Sequence, residues 1–133
     1  MRRLFLDPRA DHLGAIEERK LTMTQVRALF VLACADEPAP TGDLAARLGL
    51  SPAATSRALD ALVRRRFVTR RESQRDRRVR LVEIADRGRM VVDELVALRL
   101  AGLEAFLAEV DPDQRRRLTE VLAEINAAAE GSG

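Results

Sequence analysis

Residues Thr41–Gly88 read TGDLAARLGLSPAATSRALDALVRRRFVTRRESQRDRRVRLVEIADRG, and this segment is the most informative part of the chain. Its first part predicts a short helix capped by Thr41 and ended by Gly49, a position that favours a left-handed backbone. Ser51 followed by Pro52 is a strong start signal for the next helix. Two helices joined by so short a turn indicate a helix-turn-helix.

An arginine-rich hairpin follows the second of these helices. Phe67–Arg71 is typical of a strand, and Val79–Ile84 alternates like its antiparallel partner. The polar tip between the two strands carries Arg75, Arg77 and Arg78. A helix-turn-helix followed by a charged β wing predicts a protein that reads DNA.

The distribution of charge supports this interpretation. Residues 1–56 hold 7 basic and 7 acidic side chains, residues 57–89 hold 12 and 5, and residues 90–133 hold 4 and 9. The block net charges are therefore 0, +7 and −5, which agree with the formal +2 of the whole chain. Positive charge concentrated in one segment is the electrostatic footprint of a polyanion-binding surface.

The flanking segments predict further helices. Thr22 and Gln25 form a capping box at the start of one, and a long helix is expected from about Asp86 to Val110. A last helix should begin at Asp111-Pro112, with one apolar face made of Leu118, Val121, Leu122, Ile125 and Ala129. Such faces exceed what a small core can cover, so the sequence predicts a homodimer.

The predicted fold class is therefore mainly α with a small β wing. We expect one domain over residues 1–133, with a winged helix-turn-helix lobe at about 21–85. Residues 1–20 and about 86–133 are expected to form a helical dimerisation region. Pro8 limits any first helix to about residues 10–20.

Composition excludes several classes of function. Across 133 residues, 47% are apolar, which suits one globular domain, but there is no Trp or Tyr for stacking on single-stranded RNA. Cys34 and His12 are the only residues of their kinds, which leaves no Cys and His metal site or disulfide within one chain. No signal peptide, membrane span, phosphate loop or nucleophile elbow is recognisable, so we expect a cytoplasmic protein that is not an enzyme. Cys34, within an apolar run, is expected to be a buried small hydrophobe.

The helical period assigns the faces of the helix that begins after Ser51. If Thr55, Leu59 and Leu62 point inward, the residues that point toward a major groove are Pro52, Ala53, Ser56, Arg57 and Asp60. Arg57 is the candidate base reader, because its planar fork matches both acceptors of guanine; a phosphate contact is the alternative. Ser51 and Ser56 are expected to bond phosphates, although Ser51 has helix capping alone as its alternative.

Two further groups of arginines are expected at the DNA. The first group serves the phosphate backbone or is merely solvated, and consists of Arg64, Arg65, Arg70 and Arg71. The second group, Arg75, Arg77 and Arg78, sits at the hairpin tip, where an extended arm can enter the negatively charged minor groove.

From Leu21 to about Ile125 the chain resembles the MarR family of winged helix-turn-helix transcription regulators. The resemblance rests on several short motifs in the right order: Leu21-Thr22 with Gln25 and Leu29, Leu44-Ala45 with Leu48-Gly49 and Ser51, and Ser56-Arg57 with Leu62 and Val68. Its most specific part is Asp76-Arg77-Arg78 followed by Ile84-Ala85-Asp86-Arg87-Gly88. Two departures are Arg66, where the family usually has a glycine, and Ala85, where it has a threonine cap. Arg66 implies either a left-handed non-glycine residue or a different helix end, and Asp86 is the alternative cap.

The resemblance implies a homodimeric regulator, in the first instance a repressor, bound to a palindromic operator in double-stranded DNA. It implies that Arg78 is the inserted wing residue and that Asp76 holds an arginine in position. Asp60 would pair with a wing arginine and tune affinity, with a surface ion pair of little consequence as the alternative.

The resemblance also implies a small aromatic effector, while no cofactor is expected. Phe5, Phe30, Met90 and Phe106 are candidate pocket residues, and packing is their more common role. The competing function is a winged-helix dimer that binds another protein without specific DNA binding. Such a wing would expose aromatic or aliphatic anchors instead of arginines.

Overall fold

The computed structural model describes residues 12–130. Its helices are α1 His12–Glu18, α2 Met23–Ala33, α3 Thr41–Leu48, α4 Pro52–Arg64, α5 Asp86–Ala108 and α6 Pro112–Glu130. Its strands are β1 Ala39–Pro40, β2 Val68–Glu72 and β3 Arg80–Ile84. The prediction of a mainly α fold with a small β wing is confirmed. Among the described helices, none has both the length and the apolarity that a membrane span requires.

The small sheet is antiparallel, with β3 in the centre between β1 and β2. In the β2–β3 hairpin, Val68 pairs with Ile84 and Glu72 with Arg80. Ala39 pairs with Val82 on the other side of β3. Strand β1 was not predicted, because it is only two residues long and its Pro40 cannot donate to the ladder.

Local signals explain most helix starts. Thr22 and Gln25 form the predicted capping box, with reciprocal backbone-to-side-chain bonds of 3.2 and 2.9 Å. Ser51 is the N-cap of α4 and Pro52 is its first residue, as expected. The prediction that Thr41 caps α3 is wrong. Pro40 occupies the N-cap position, and the Thr41 hydroxyl donates instead to the Arg80 carbonyl, at 3.2 Å.

The described residues fall into two compact units, one extending to Leu98 and the other beginning at Arg99. The first unit contains the helix-turn-helix, the sheet and one apolar core. Almost no surface remains exposed on its largest core side chains, which include Leu29, Leu44, Leu59, Leu62 and Val82. These residues come from α2, α3, α4 and β3, so the core fixes the recognition elements to one another.

The second unit begins within α5 and continues through α6. The apolar face predicted for α6 is exposed: the exposed fractions are 42% for Leu118, 50% for Val121 and Leu122, and 57% for Ile125. The contacts within this unit therefore leave a continuous apolar stripe exposed along α6.

Two expectations about side-chain burial are wrong. Cys34 is exposed, because it is the C-cap of α2 and lies beyond the buried face that includes Val26 and Leu29. Met90 does not pack in a core, since 70% of it is exposed on α5. Phe30 does pack against the core, whereas Phe5 lies outside the described residues.

Close backbone approach explains Gly88 of the family-like motif. A Cβ atom at Gly88 would lie 2.2 Å from the Phe67 carbonyl oxygen, which is closer than real Cβ contacts come. That carbonyl also accepts a hydrogen bond from the Ala85 N–H, at 3.0 Å. The start of α5 is therefore pressed directly against the chain that leaves α4, and only glycine fits there without displacement.

The end of α4 settles the question raised by Arg66. Its φ is 59°, so a non-glycine residue occupies the left-handed region. The N–H groups of Arg66 and Phe67 donate to the Val63 and Leu62 carbonyls, both at 2.9 Å. This is a Schellman motif with arginine at the position that normally prefers glycine. The helix therefore ends where a glycine would end it, at the cost of local strain.

We predict that Arg66→Gly stabilises the protein. A left-handed L-residue destabilises the fold by about 1–2 kcal/mol. The extra flexibility of glycine in the unfolded chain offsets about 0.5–1 kcal/mol of the stability gained by removing it. We expect a net rise of about 0.5–1 kcal/mol in the free energy of unfolding, measured by urea titration. Arg57→Gly, at an exposed position inside α4, is the matched control and should lose about 1 kcal/mol. A loss of stability in Arg66→Gly would contradict the strain argument.

Candidate nucleic-acid interface

The exposed face of α4 is the face that the helical period predicted. Thr55, Leu59 and Leu62 are fully buried. The residues expected to face a major groove are exposed in the case of Pro52, Ala53 and Arg57, and half-buried in the case of Ser56 and Asp60. The helix therefore presents small side chains and one long cation near its start, which lets its backbone approach a groove closely.

The start of α4 is held by Ser51. Its hydroxyl oxygen accepts a hydrogen bond from the Ala54 N–H, at 3.1 Å, and its carbonyl accepts one from the Thr55 hydroxyl, at 3.0 Å. Ser51 is exposed, so a lone pair of the same hydroxyl remains accessible to solvent. Capping is therefore one role of Ser51 in this structure, and the phosphate contact remains a prediction.

The end of α4 is tied to the end of α1 through Arg65. The Arg65 guanidinium donates to the carbonyls of Lys20, at 3.1 Å, and Arg19. The same group stacks over the Phe67 ring at 4.7 Å, and Arg87 lies 5.1 Å from that ring centroid. Arg65 was expected to serve the phosphate backbone or to be merely solvated, and the structure shows two of its five N–H donors bound to carbonyls within the protein. Arg64, one residue earlier, is exposed.

A second tie joins α4 to the wing. Arg70 on β2 donates through Nη1 to Asp60 Oδ1 at 2.7 Å, and the two side chains are 24% and 48% exposed. The pair is thus a partly desolvated contact between the recognition helix and the hairpin. Because it connects two elements that must dock together, it constrains the orientation of the wing relative to α4.

The wing tip is a tight turn organised by Ser73 and Asp76. The Ser73 hydroxyl accepts from the Arg75 N–H at 3.2 Å, and Asp76 Oδ1 accepts from the Arg78 N–H at 3.0 Å. Asp76 also lies 3.9 Å from Arg78 Nε, although the Arg78 side chain is 95% exposed. Arg75 and Arg77 are exposed as well. The turn therefore fixes the backbone from which these arginines project into solvent.

The structure brings some of the predicted site residues together. Ser56 of α4 and Arg78 of the wing line one open cleft, and that cleft also contains Thr41, Gly42 and Arg80, which sequence reasoning did not include in the site. Thr41, Gly42 and Arg80 reach the cleft because β1 places the start of α3 beside β3. Strand β1 is only two residues long, so its sequence did not predict this arrangement. No group of acidic, His and Cys side chains within the described residues is arranged to hold a metal ion.

Comparisons with known proteins agree with this geometry. The sequence profile of the MarR family matches residues 19–79. The HTH-type transcriptional regulator YdgJ of Bacillus subtilis is 30% identical over 77% of this chain and 62% of its own length. The HTH-type transcriptional repressor MdtR of the same bacterium is 26% identical over 96% of this chain and 81% of its own.

A solved structure shows the same fold. The transcriptional regulator Tm0710 from Thermotoga maritima superposes with a TM-score of 0.82, covering 98% of this chain and 92% of that one, at 18% identity. The profile match extends from the end of α1 to the wing tip, and the relatives extend the similarity beyond it. The chain belongs to the MarR family of helix-turn-helix transcription regulators.

Proposed function

We propose that this protein is a sequence-specific transcriptional regulator that binds double-stranded DNA as a homodimer. The proposal rests on two exposed features of the same lobe. Helix α4 exposes a face that contains Arg57, and the wing tip exposes Arg75, Arg77 and Arg78. One element is shaped for a major groove, and the other provides cations for the adjacent minor groove. Both belong to the lobe that matches the family profile.

The recognition helix supplies direct readout in this proposal. Arg57 is exposed on the first turns of α4, and its guanidinium can bond both the O6 and N7 acceptors of one guanine. Pro52 and Ala53 are small neighbours that allow close approach. Ser51, Ser56 and Arg64 then hold the helix in place through phosphates, which fix register without reading sequence.

The dimer follows from the α6 stripe defined by Leu118, Val121, Leu122 and Ile125. These side chains are 42–57% exposed, and contiguous apolar surface of this kind marks an interaction site. A second copy of the chain is the simplest partner, since a two-fold axis presents the same stripe to itself. Two lobes related by that axis would read a palindromic operator.

The proposal also specifies the remaining features of the function. The protein acts in the cytoplasm as a repressor, the role named for MdtR, without catalysis and without a cofactor. A small aromatic effector that alters the spacing of the two lobes is included on the family resemblance. The competing function, a protein-binding wing, is less well supported because the wing tip exposes arginines in place of apolar anchors.

We predict that Arg57 determines base preference at one position of each half-site. Selection from a random duplex library by the wild-type protein should enrich a palindrome. Arg57→Ala should relax one symmetric position and cost about 1–3 kcal/mol there. A uniform loss across all sequences would instead assign Arg57 to a phosphate. Arg117→Ala, exposed on α6, is the control and should leave the selected sequence unchanged.

We predict that Ile125→Glu dissociates the dimer. A buried unpaired carboxylate is unfavourable in an apolar interface, whereas in the single chain Ile125 is already 57% exposed, so the fold should tolerate the change. Sedimentation at micromolar concentration should give the dimer mass for the wild type and the monomer mass for the variant. Ala123→Glu, on the opposite side of α6, is the matched control and should remain dimeric. Equal masses for the two variants would contradict the proposed interface.

A further inference from the structure

Helices α1 and α4 end in the same backbone motif, and the two ends lie in contact. In α1 the N–H groups of Lys20 and Leu21 donate to the Glu17 and Ile16 carbonyls, at 2.9 and 3.3 Å. This pair of bonds is the Schellman pattern that also ends α4 at Arg66. In the part of the chain that the structure describes, the non-glycine residues with a left-handed backbone are Lys20, with a φ of 50°, and Arg66, with a φ of 59°. Strain at two places in contact persists only where the surrounding structure determines the geometry firmly.

Arg65, the C-cap residue of α4, joins the two helix ends. Its guanidinium donates through Nη1 to the Lys20 carbonyl, at 3.1 Å, and through Nη2 to the Arg19 carbonyl. Carbonyl groups at the C-terminus of a helix carry partial negative charge, so two such ends in contact repel each other. A cation between the two ends offsets this repulsion. Because the guanidinium fork is planar, its two bonds also fix the direction of one helix relative to the other.

Further contacts attach the two helix ends to α5. The Arg65 guanidinium lies 4.7 Å from the centroid of the Phe67 ring, and Arg87 of α5 lies 5.1 Å from the same centroid. Phe67 is buried, with 2% of its surface exposed. Arg19 forms an ion pair with Glu94, which lies farther along α5. Helices α1 and α4 and the first part of α5 therefore share one set of contacts around Arg65.

Arg64 and Arg65 are adjacent in sequence but have different surroundings. Arg64 is exposed, which suits the phosphate contact proposed above. Arg65 is half-buried, and its guanidinium bonds to the end of α1 and stacks on Phe67. The two arginines therefore separate contact with DNA from positioning of the helix that makes the contact.

We propose that Arg65 is a positioning residue that sets the spacing between the two half-sites read by the dimer. It contacts neither base nor phosphate and acts by fixing the direction of α4 relative to α1 and α5. Helix α5 continues to Ala108, into the unit that contains the α6 stripe. In a two-fold dimer, the separation of the two α4 helices depends on this direction. The inference rests on the proposed function and adds to it a residue that determines half-site spacing.

The test measures duplex affinity as a function of the number of base pairs between the half-sites. One base pair changes the separation of the half-sites by about 3.4 Å and their relative rotation by about 35°, so the wild type should prefer one spacer length. Arg65→Gln is shorter and uncharged. We expect the affinity ratio between the spacer that the wild type prefers and one changed by one base pair to fall at least about threefold in this variant. Base preference within each half-site should stay the same, because Arg57 keeps its place on α4.

Arg64→Gln is the matched control, since it makes the same substitution at the neighbouring exposed position. It should weaken binding by a similar factor at every spacer length and leave the preferred spacer unchanged. Arg65→Lys keeps a charge between the helix ends but lacks the fork, so its spacing preference should lie between those of the wild type and Arg65→Gln. Urea titration verifies that the variants are folded, and Arg65→Lys takes the place of Arg65→Gln if the latter is not.

The outcomes separate the role of Arg65 from the function on which it rests. An unchanged spacing profile in Arg65→Gln would overturn the positioning role. A loss of affinity that is uniform over all spacers would also overturn it, because that result would assign Arg65 to a phosphate. A wild-type protein that binds no duplex, or binds without any spacing preference, would reject the proposed dimeric function itself.

Discussion

Burial of the inner face of α4 holds the DNA-reading elements in place. Leu59 and Leu62 retain no exposed surface, and burying a leucine side chain contributes about 1.5–3 kcal/mol. That face fixes the rotation of the helix about its axis, so Arg57 must point to solvent. Ser51 fixes the start of the helix, and the left-handed Arg66 fixes its end. A groove-reading surface needs this rigidity, because base contacts tolerate little displacement.

The arginines of the lobe divide into those that build the interface and those that remain free to contact a ligand. Arg65 binds carbonyls at the end of α1, and Arg70 binds Asp60. Arg75 and Arg77, by contrast, are exposed at the wing tip. Planar guanidinium groups suit both tasks, since they form several directed bonds and remain charged. In a segment with a net charge of +7, some arginines thus stabilise the fold through internal hydrogen bonds, while others provide a positive surface.

Sequence reasoning succeeded where the signal was local and failed where it depended on tertiary contact. The Thr22–Gln25 capping box, the Ser51-Pro52 start and the Gly49 helix end are read from adjacent residues, and all were predicted correctly. The cap at Thr41 was assigned wrongly, because Pro40 in β1 takes that position and the hydroxyl bonds to distant Arg80. The same two-residue strand hid the cleft, and helix periodicity alone could not show that Cys34 ends its helix on an exposed side.

Binding of DNA phosphates by the arginine-rich lobe makes duplex affinity depend on salt, and this dependence can be measured. If the dimer neutralises about 8 phosphates, log K should fall with log salt at a slope near −7. Fluorescence anisotropy with a selected duplex between about 50 and 200 mM potassium chloride measures this slope. A steep linear decrease is the predicted result. A slope near zero would contradict DNA binding by this lobe, because a surface built on exposed arginines cannot bind a duplex independently of salt.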